Sequence, residues 1–386
     1  MIKKFNVEKT KQLDKVDKLL SFFYRKPVAN SKKKFTEVEN ILIIDFALMG
    51  DMIMNIPFLR TLKRNCPKAK ITMVCMSWGE IILGKQGLVD DFIFFDGKNK
   101  LSTPRNILLH LPEIKKVIKK INLKSYELGF EPKGDLRHTL LLHYTNCDRS
   151  ISYNYTGGSF LITDSLDPKI ETEHLIDEKM DLLELIGMKV WEEDKLPELI
   201  LNDNDFIFLN RFKKENGLDG KYLIGLHPGA SNSNKQYKHY PELIEMIKNS
   251  INSSTVFLVF EGPGESEIVD SVCAKMDCLS IDYLRIRESI DIYIRIVSLC
   301  DIMICNDSAA GHFAAAYNIN TIVVFGPVDH RTAIPRGNCK IIAISHELAC
   351  KPCTMPVCPI NNNNCIESIA PVEIYEGVLL MLSNNI

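Results

Sequence analysis

The sequence predicts an α/β protein made of two doubly wound parallel sheets. Its 386 residues exceed what one ordinary hydrophobic core holds and indicate two domains. Apolar, β-branched runs alternate with stretches of helical length along the chain, which is typical of parallel strands joined by crossover helices. A polar, acidic stretch, WEEDKLPELILNDND, interrupts this alternation midway and is expected to connect the two domains.

The first half begins the alternation near residue 41. NILIID predicts a buried strand that runs into a glycine turn, and MIMNIPFLRTLKRNCP predicts the helix after it. KITMVC, DDFIFFD and YELGFEP predict three further strands, with the amphipathic stretch LPEIKKVIKKINL between the last two. HLIDEKMDLLELIGM predicts a helix that ends at Gly187.

A second alternation starts near residue 221. It runs through YLIGLHPGAS, PELIEMIKNS, STVFLVFEGPGE, ESIDIYIRIVSLC, DIMICNDS and TIVVFGP. We therefore expect an N-terminal arm over 1–40, domains over 41–200 and 201–349, and a cysteine-containing segment with a C-terminal helix over 350–386. Ligands of doubly wound sheets bind at the carboxyl ends of the strands, so polar residues that follow these runs are the candidates for function.

Composition excludes several classes of protein. A hydrophobic content of 46% and a charged content of 25% are ordinary for a globular protein. The net charge of −2 gives no reason to expect nucleic acid as a partner, and no apolar run of 18 residues predicts a membrane span. The first residues lack the apolar stretch of a secretory signal, so the 12 cysteines are expected to stay reduced in the cytoplasm.

The N-terminal arm is strongly basic. Residues 1–34 hold eleven Lys or Arg against three acids, and Leu13, Val16, Leu20 and Phe23 recur at helical spacing. A basic amphipathic helix of this kind can lie on the anionic face of the cytoplasmic membrane. The alternative is a solvated helix packed against the body of the protein.

The polar stretch NDSAAGH lies between two apolar runs that look like buried strands, and it predicts an anion site. A strand that ends at Cys305 and continues into a small-residue helix leaves free backbone N–H groups at a positive helix end, which favours a phosphate. An ordinary helix cap by Asp307 or Ser308 is the alternative. The residues of this turn are Asp307, Ser308, Ala309, Ala310, Gly311 and His312.

Two further strand ends carry candidate donor-binding residues. After IGLHPGA, a hydroxyl at Ser231 and an ammonium at Lys235 suit a diphosphate, although a polar surface loop explains them equally. In VFEGPGESE, Glu265 offers a carboxylate to ribose hydroxyls, or simply starts the next helix.

Asp51 is the candidate general base of the first half. It follows Gly50 at the end of the first predicted strand, where a carboxylate can take a proton from an incoming hydroxyl. From spacing alone, a cap on a helix beginning near Met52 is the favoured interpretation. The sequence contains no G-x-G-x-x-G and no G-x-x-x-x-G-K-[ST], which disfavours a nicotinamide dehydrogenase and a P-loop enzyme.

Together these pieces resemble glycosyltransferase family 9, the ADP-heptose:lipopolysaccharide heptosyltransferases. The matching motifs, in family order from about residue 41, are MGDMIMNIPFLRTLK, FEPKGDLRHTLLL, GGSFLIT, EHLIDEKMDLLELIG, HPGASNSNKQY, FEGPGE, NDSAAGHFAAA and VVFGPVDHRT. The resemblance implies a GT-B fold, in which two Rossmann-like domains face each other across a cleft and the C-terminal domain holds the sugar nucleotide. It also implies inverting transfer without a metal or other required cofactor.

The resemblance assigns roles by position. Asp51 matches the general base, Lys235 the lysine on the donor diphosphate, and Ser231 the hydroxyl beside it. Asp307 matches the aspartate near the donor sugar, the turn from Ser308 through His312 matches the phosphate-binding turn, and Glu265 is similar to the acid that holds the ribose. Tyr237 replaces a common tryptophan, and Ala309, Ala310 and Gly311 replace the usual Gly-Pro-Met.

The function implied by the resemblance is transfer of a heptose from ADP-heptose to a lipid-linked or lipopolysaccharide-core glycan. Three alternatives stay open from the residues. They are a family member with another donor or acceptor, a scaffold that binds a nucleotide sugar without turnover, and a sugar-nucleotide epimerase.

FEPKGDLRHTLLL supplies candidates for acceptor binding. Lys133, Arg137 and His138 are expected to face an anionic, phosphorylated sugar chain, or else to be ordinary loop charges. The predicted location of this stretch is the acceptor-side domain.

The C-terminal cysteines are spaced as C-x2-C-x4-C-x6-C. Cys350, Cys353, Cys358 and Cys365 suit a structural zinc ion, although the second pair is wider than usual. Reduced free thiols without a metal are the alternative.

Overall fold

The structure, a computed structural model, describes residues 27–29, 33–169, 173–251, 254–353, 355, 357–360 and 362–382. The amphipathic helix predicted around Leu13 and Leu20 lies outside these residues. The chain divides into two compact units, Met1–Lys195 and Leu196–Ile386. The division falls inside the predicted acidic connection, five residues before the expected boundary at 200. In the described part, no helix is long and apolar enough to cross a membrane.

The first unit is a parallel sheet with crossover helices. Its strands are β1 Asn40–Ile44, β2 Lys70–Cys75, β3 Asp91–Phe94, β4 Tyr126–Glu131, β5 Cys147–Tyr153 and β6 Asp164–Leu166. Its described helices are α1 Met49–Ile53, α2 Asn55–Asn65, α3 Trp78–Leu83, α4 Gly97–Lys100, α5 Pro104–Leu109, α6 Leu111–Ile121, α7 Leu136–His143 and α8 Leu175–Leu185.

The six strands of this unit lie in the order β3-β2-β1-β4-β5-β6, and every neighbouring pair is parallel. β1 is central, so its residues after Asn40 are buried, which explains its unbroken run of Ile and Leu. The order reverses between β1 and β4, and the carboxyl ends of these two strands therefore form the topological switch point, where such sheets bind ligands.

The second unit repeats this architecture. Its strands are β7 Tyr222–His227, β8 Thr255–Phe260, β9 Tyr283–Ile286, β10 Ile302–Asn306, β11 Asn320–Phe325 and β12 Ile341–Ser345. Its described helices are α9 Asp203–Glu215, α10 Tyr240–Lys248, α11 Ser266–Leu279, α12 Ile290–Val297, α13 Ala309–Ala316, α14 His330–Ala333, α15 Asn364–Glu367 and α16 Pro371–Leu382.

The second sheet has the order β12-β11-β10-β7-β8-β9 and is also parallel throughout. Counted from its own first strand, this is the same 3-2-1-4-5-6 order as in the first sheet. Its switch point lies between β7 and β10. The two strand ends that the sequence singled out, HPGAS and NDSAAGH, therefore lie side by side.

Some elements differ from the sequence predictions. The sequence pattern did not identify the strands β5, β6, β9 and β12. The segment 350–386 is not a separate appendage, because Ile366, Ile374, Val378 and Met381 are buried in the core of the second unit. Gly187 ends the α8 region with a left-handed backbone, φ 88°, as predicted.

Candidate active site

Asp51 lies at the switch point of the first sheet. α1 begins at Met49, with Leu48 in the N-cap position, so Asp51 is the third residue of the helix and does not cap it. The cap interpretation is therefore wrong. Asp51 is half-buried, and the described residues give its carboxylate neither a hydrogen bond nor an ion pair. It lines a small cavity together with Lys133 and Lys179.

A buried charged network forms one wall of the same cavity. Lys179 on α8 donates to Asp45 at the end of β1, with Nζ 3.0 Å from Oδ2. Asn55 Nδ2 donates to the same oxygen at 2.9 Å, and Lys179 also donates to Asn55 Oδ1. All three side chains are buried. The pattern of the sequence did not reveal this network, because Lys179 is 134 positions away from Asp45.

This network distinguishes the two aspartates that line the cavity, because it binds Asp45 and leaves Asp51 without a hydrogen bond in the described part of the chain. Burial acts to raise the pKa of Asp45, but the charges of Lys179 and Lys133 and the hydrogen bonds from Asn55 and Lys179 hold that pKa below its ordinary value. Asp45 is thus ionised and is held by Lys179 and Asn55. Asp51 lines the same cavity with its carboxylate unengaged, as a proton acceptor requires.

The end of β4 brings Lys133 to the cavity. Glu131 is fully buried and accepts hydrogen bonds from the backbone N–H groups of Lys133 at 3.2 Å and Gly134 at 2.7 Å. Ser152 Oγ donates to the same carboxylate at 2.8 Å. These hydrogen bonds fix the turn after β4. The side-chain ammonium of Lys133 takes no part in them and has no ion pair among the described residues.

The other two acceptor-side candidates are bound inside the first unit. His138 is buried against Phe46, with ring centroids 4.9 Å apart, and its Nδ1 lies 3.3 Å from Glu131 Oε1. Arg137 donates to Asp135 at 2.8 Å and to the Leu101 carbonyl at 3.0 Å. Of the three candidates, Lys133 is the one that lines the cavity, which favours the alternative of ordinary structural charges for Arg137 and His138.

In the second unit, two of the predicted donor-binding residues form an ion pair at the switch point. Lys235 ends the 3-10 turn Ser233–Lys235 after β7, and Asp307 follows β10 directly. Lys235 Nζ lies 2.6 Å from Asp307 Oδ2, and both side chains are largely buried. Ser231 is exposed in the same loop, four residues before Lys235.

Asn306 holds this pair of loops together. Its Nδ2 donates to the carbonyl of Pro228 at 2.7 Å and to that of Gly229 at 3.2 Å. Its Oδ1 accepts from Tyr240 Oη at 3.0 Å. Asn306 is fully buried, and its role was not predictable from the sequence because an Asn beside an Asp resembles ordinary turn chemistry. Tyr237, which replaces the common tryptophan, is also buried and donates to the Ile369 carbonyl.

The amino end of α13 has the features expected of an anion site. Ser308 occupies the N-cap position with extended backbone, but its side chain makes no capping hydrogen bond. Its hydroxyl is buried and has no partner among the described residues. Neither Asp307 nor Ser308 is therefore an ordinary cap. Ala309 begins the helix, and Ala310 and Gly311 are buried behind it, so the first three residues of the helix are small. His312 is buried as well.

Glu265 lies over the loop after β7. Its Oε2 accepts from the Gly262 N–H at 2.7 Å and lies 3.2 Å from His227 Nε2. Burial acts to raise the pKa of Glu265, but the hydrogen bond and charge of His227 lower it below its ordinary value. A Cβ on Gly229 would lie 2.0 Å from the Glu265 carboxyl carbon, so any larger residue at position 229 would displace the Glu265 carboxylate. Both of these contacts use Oε2, and Oε1 has no partner in the described part of the chain.

The four C-terminal cysteines do not form a metal centre in this structure. Cys350 is exposed, Cys353 and Cys358 are half-buried, and Cys365 is buried. No group of three or more His, Cys, Asp or Glu side chains among the described residues is arranged to hold a metal ion. The zinc interpretation gains no support from this geometry and stays a prediction.

The family model of glycosyltransferase family 9 (heptosyltransferase) matches residues 114–363, which is more than half of the chain. The chain belongs to glycosyltransferase family 9. The match includes the loops of Lys235, Glu265 and Asp307 and confirms the resemblance found in the motifs.

Relatives of this family 9 chain include two curated heptosyltransferases. "Lipooligosaccharide heptosyltransferase 2" of Campylobacter jejuni subsp. jejuni serotype O:2 is 23% identical over 341 residues, which cover 87% of this chain and 96% of that protein. The protein of the same name from serotype O:6 is 25% identical over 186 residues, covering 48% of this chain and 56% of that protein.

Solved structures with the same fold include E. coli ADP-heptose lps heptosyltransferase II, with a TM-score of 0.70 and 18% identity over 90% of this chain and 99% of that one. The E. coli heptosyltransferase WaaC with ADP has a TM-score of 0.63 and 15% identity over 89% and 99%. These likenesses concern the fold and confirm the predicted α/β, GT-B class with its two Rossmann-like units.

Proposed function

We propose that this family 9 glycosyltransferase transfers a heptose from ADP-heptose to a sugar of the lipopolysaccharide core. The names of the Campylobacter relatives and of the E. coli structures support this choice of donor and acceptor class. We further propose a single inverting displacement that needs no metal, which takes place in the cytoplasm.

The observation that carries the proposal is the contrast between Asp51 and Asp45. Both line one cavity at the switch point of the first sheet, but Asp45 is bound by Lys179 and Asn55 while Asp51 is unengaged. An unpaired carboxylate in a concave site is suited to accept a proton. In the proposed step, Asp51 takes the proton of the acceptor hydroxyl as its oxygen attacks the anomeric carbon of the donor.

The second unit supplies the groups for the leaving diphosphate. As the new glycosidic bond forms, the bond between the anomeric carbon and the phosphate oxygen breaks, and its electron pair leaves with ADP. The Lys235 ammonium, the unpaired Ser308 hydroxyl and the amino end of α13 favour the negative charge that gathers there. Ser231 lies in the Lys235 loop and is proposed to bind the same diphosphate.

Two further contacts follow from the unengaged atoms. The free Oε1 of Glu265 is suited to accept a ribose hydroxyl, since Oε2 is held by His227 and Gly262. The unpaired ammonium of Lys133 is suited to an anionic group on the acceptor, beside Asp51. The N-terminal arm is proposed to keep the enzyme near a lipid-linked acceptor.

Product analysis tests the proposal. The purified protein is incubated with ADP-heptose, with and without a truncated core acceptor, in the presence and absence of EDTA, and the products are identified by mass spectrometry and NMR. We expect an acceptor-dependent heptoside of inverted anomeric configuration, at a rate that EDTA leaves unchanged. Free heptose, an isomerised donor, transfer only from another nucleotide sugar, or binding without turnover would each contradict the proposal and favour one of the alternatives.

A further inference from the structure

The outward side of α6 carries a stripe of lysines. The side that faces the core of the first unit carries four aliphatic residues, Ile114, Val117, Ile118 and Ile121. With 3.6 residues per turn, the positions between them gather on the opposite side. These positions hold four exposed lysines, Lys115, Lys116, Lys119 and Lys120.

Exposed leucines lie at both ends of this stripe. Leu108 and Leu109, the last two residues of α5, are 72% and 65% exposed, and Leu123, just after α6, is 78% exposed. The α6 surface is defined here as these three leucines and the four lysines. The aliphatic side of α6 is already packed, so the leucines are the apolar groups that this surface offers to a partner.

The positive charge of this surface is local and uncompensated. Residues 98–124 contain eight Lys or Arg and a single acid, Glu113, whereas the whole chain has a net charge of −2. Glu113 pairs with Lys100 and lies 3.2 Å from His110 Nδ1, so it is engaged elsewhere. Among the described residues, none of the four lysines of the α6 surface has an ion pair.

We infer that the α6 surface binds peripherally to an anionic phospholipid bilayer. The lysines would lie against the headgroup phosphates, with their long stems along the interface, while the leucines enter the boundary of the acyl chains. The helix keeps its core-facing side packed, so docking needs no rearrangement of the first unit. The residues of this surface are not among those of the N-terminal arm, which the sequence suggested as a membrane contact.

The combination of groups favours a bilayer over a macromolecular partner. The centres of protein interfaces are depleted in lysine, which disfavours a protein. A nucleic acid would engage the lysines through its phosphates but would leave the leucines exposed. An anionic bilayer uses both kinds of side chain at once. The inference does not depend on the proposed sugar transfer, and vesicle binding is measured without donor or acceptor.

Vesicle co-sedimentation of the full chain tests the inference. Vesicles of phosphatidylcholine alone are compared with vesicles containing about one third phosphatidylglycerol. We expect binding to the anionic vesicles, weakened by 0.5 M salt because exposed charges are screened. Lys116→Glu/Lys119→Glu should lower the affinity about tenfold or more, since each lysine near an anionic surface strengthens binding roughly fivefold. Leu108→Ser/Leu109→Ser should also lower it, by removing the apolar contact.

Two matched variants separate this surface from general charge effects. Lys214→Glu/Lys248→Glu makes the same change in net charge on exposed lysines of the second unit and should bind like the wild type. Lys11→Glu/Lys15→Glu/Lys18→Glu tests the arm. Circular dichroism and thermal unfolding check that each variant is folded.

The inference is overturned by any of three results. One is wild-type protein that does not sediment with anionic vesicles. Another is that the α6-surface variants are folded and bind the vesicles like the wild type, whether or not the arm variant loses binding. The third is a DNA duplex that binds the wild type and displaces the vesicles.

Discussion

Lys235 and Asp307 form an ion pair across the switch point of the second sheet, with Nζ and Oδ2 2.6 Å apart. One residue follows β7 and the other follows β10, and Asn306 binds the same loop through the carbonyls of Pro228 and Gly229. The ammonium is therefore held in place before a ligand arrives. A lysine that is already ordered loses less conformational entropy when it meets a phosphate.

The first prediction concerns this pair. Lys235→Ala should lower the affinity for ADP by about tenfold to a hundredfold, because a charge-assisted hydrogen bond contributes about 1.5–3 kcal/mol. It also leaves the Asp307 carboxylate unpaired, where it repels a diphosphate. Isothermal titration with ADP measures the change. Lys238→Ala, an exposed lysine three residues later, is the control and should bind ADP like the wild type.

The second prediction separates catalysis by Asp51 from helix capping. Asp51→Asn should lower kcat by about 10²–10⁴-fold, the usual contribution of a general base, and leave ADP affinity unchanged. Thermal stability should stay close to that of the wild type because Asp51 caps no helix. Asp203→Asn, an exposed first-turn acid of α9, serves as the control. Equal losses of transfer and of ADP binding would contradict the role as base.

The third prediction concerns the buried pair in the first unit. Lys179→Met should reduce the free energy of unfolding by about 3–5 kcal/mol, because it leaves Asp45 buried without its cation. Asp45→Asn/Lys179→Met, which removes both charges, should recover a large part of this loss. Urea unfolding followed by circular dichroism measures both. Lys119→Met on the exposed side of α6 should stay within about 0.5 kcal/mol of the wild type.

The fourth prediction is a dependence of stability on pH. The pKa of Asp45 is lower in the folded protein than in the unfolded chain, so its contribution is present above the unfolded pKa and is lost as pH falls through the folded pKa. The difference in free energy of unfolding between wild type and Asp45→Asn should be constant near neutral pH and shrink below about pH 4. A difference that grows on acidification would mean that the pKa of Asp45 is raised instead.

The fifth prediction assigns Glu265 to the ribose. Glu265→Gln should weaken ADP binding about tenfold while inorganic diphosphate, which lacks a ribose, binds as it does to the wild type. The structural reason is the unengaged Oε1, since Oε2 is held by Gly262 and His227. Paired titrations with the two ligands give the comparison. A parallel loss for both ligands would indicate a distorted loop rather than a lost ribose contact.

Much of the architecture follows from local pattern. Buried central strands such as β1 and β10 are continuous apolar runs, and polar residues at their ends identify the two switch points before any coordinates are known. Short or partly exposed strands lack this signature. β6 has three half-buried residues, and β9 has only one buried residue, so periodicity gives little indication of either.

The side-chain chemistry was less predictable where it depends on distant parts of the chain. Nothing in the local sequence NILIIDF indicates that Asp45 is ion-paired, because its partner Lys179 lies on α8, 134 positions later in the chain. His138 stands in a polar motif, and only the packing of Phe46 and Glu131 shows that it is buried. Asp51, by contrast, was identified as a candidate base by its position in the sequence. That it does not cap α1 became clear only from the structure, in which the helix begins at Met49.

Each of the two sheets is assembled from strands that are contiguous in the chain, β1 to β6 in one and β7 to β12 in the other. A recombination event that joined two homologous genes at the codons for Lys195 and Leu196 would thus keep every strand beside its native neighbours. Exchange of one half of the gene would leave the backbone pairing of the strands encoded by the other half intact.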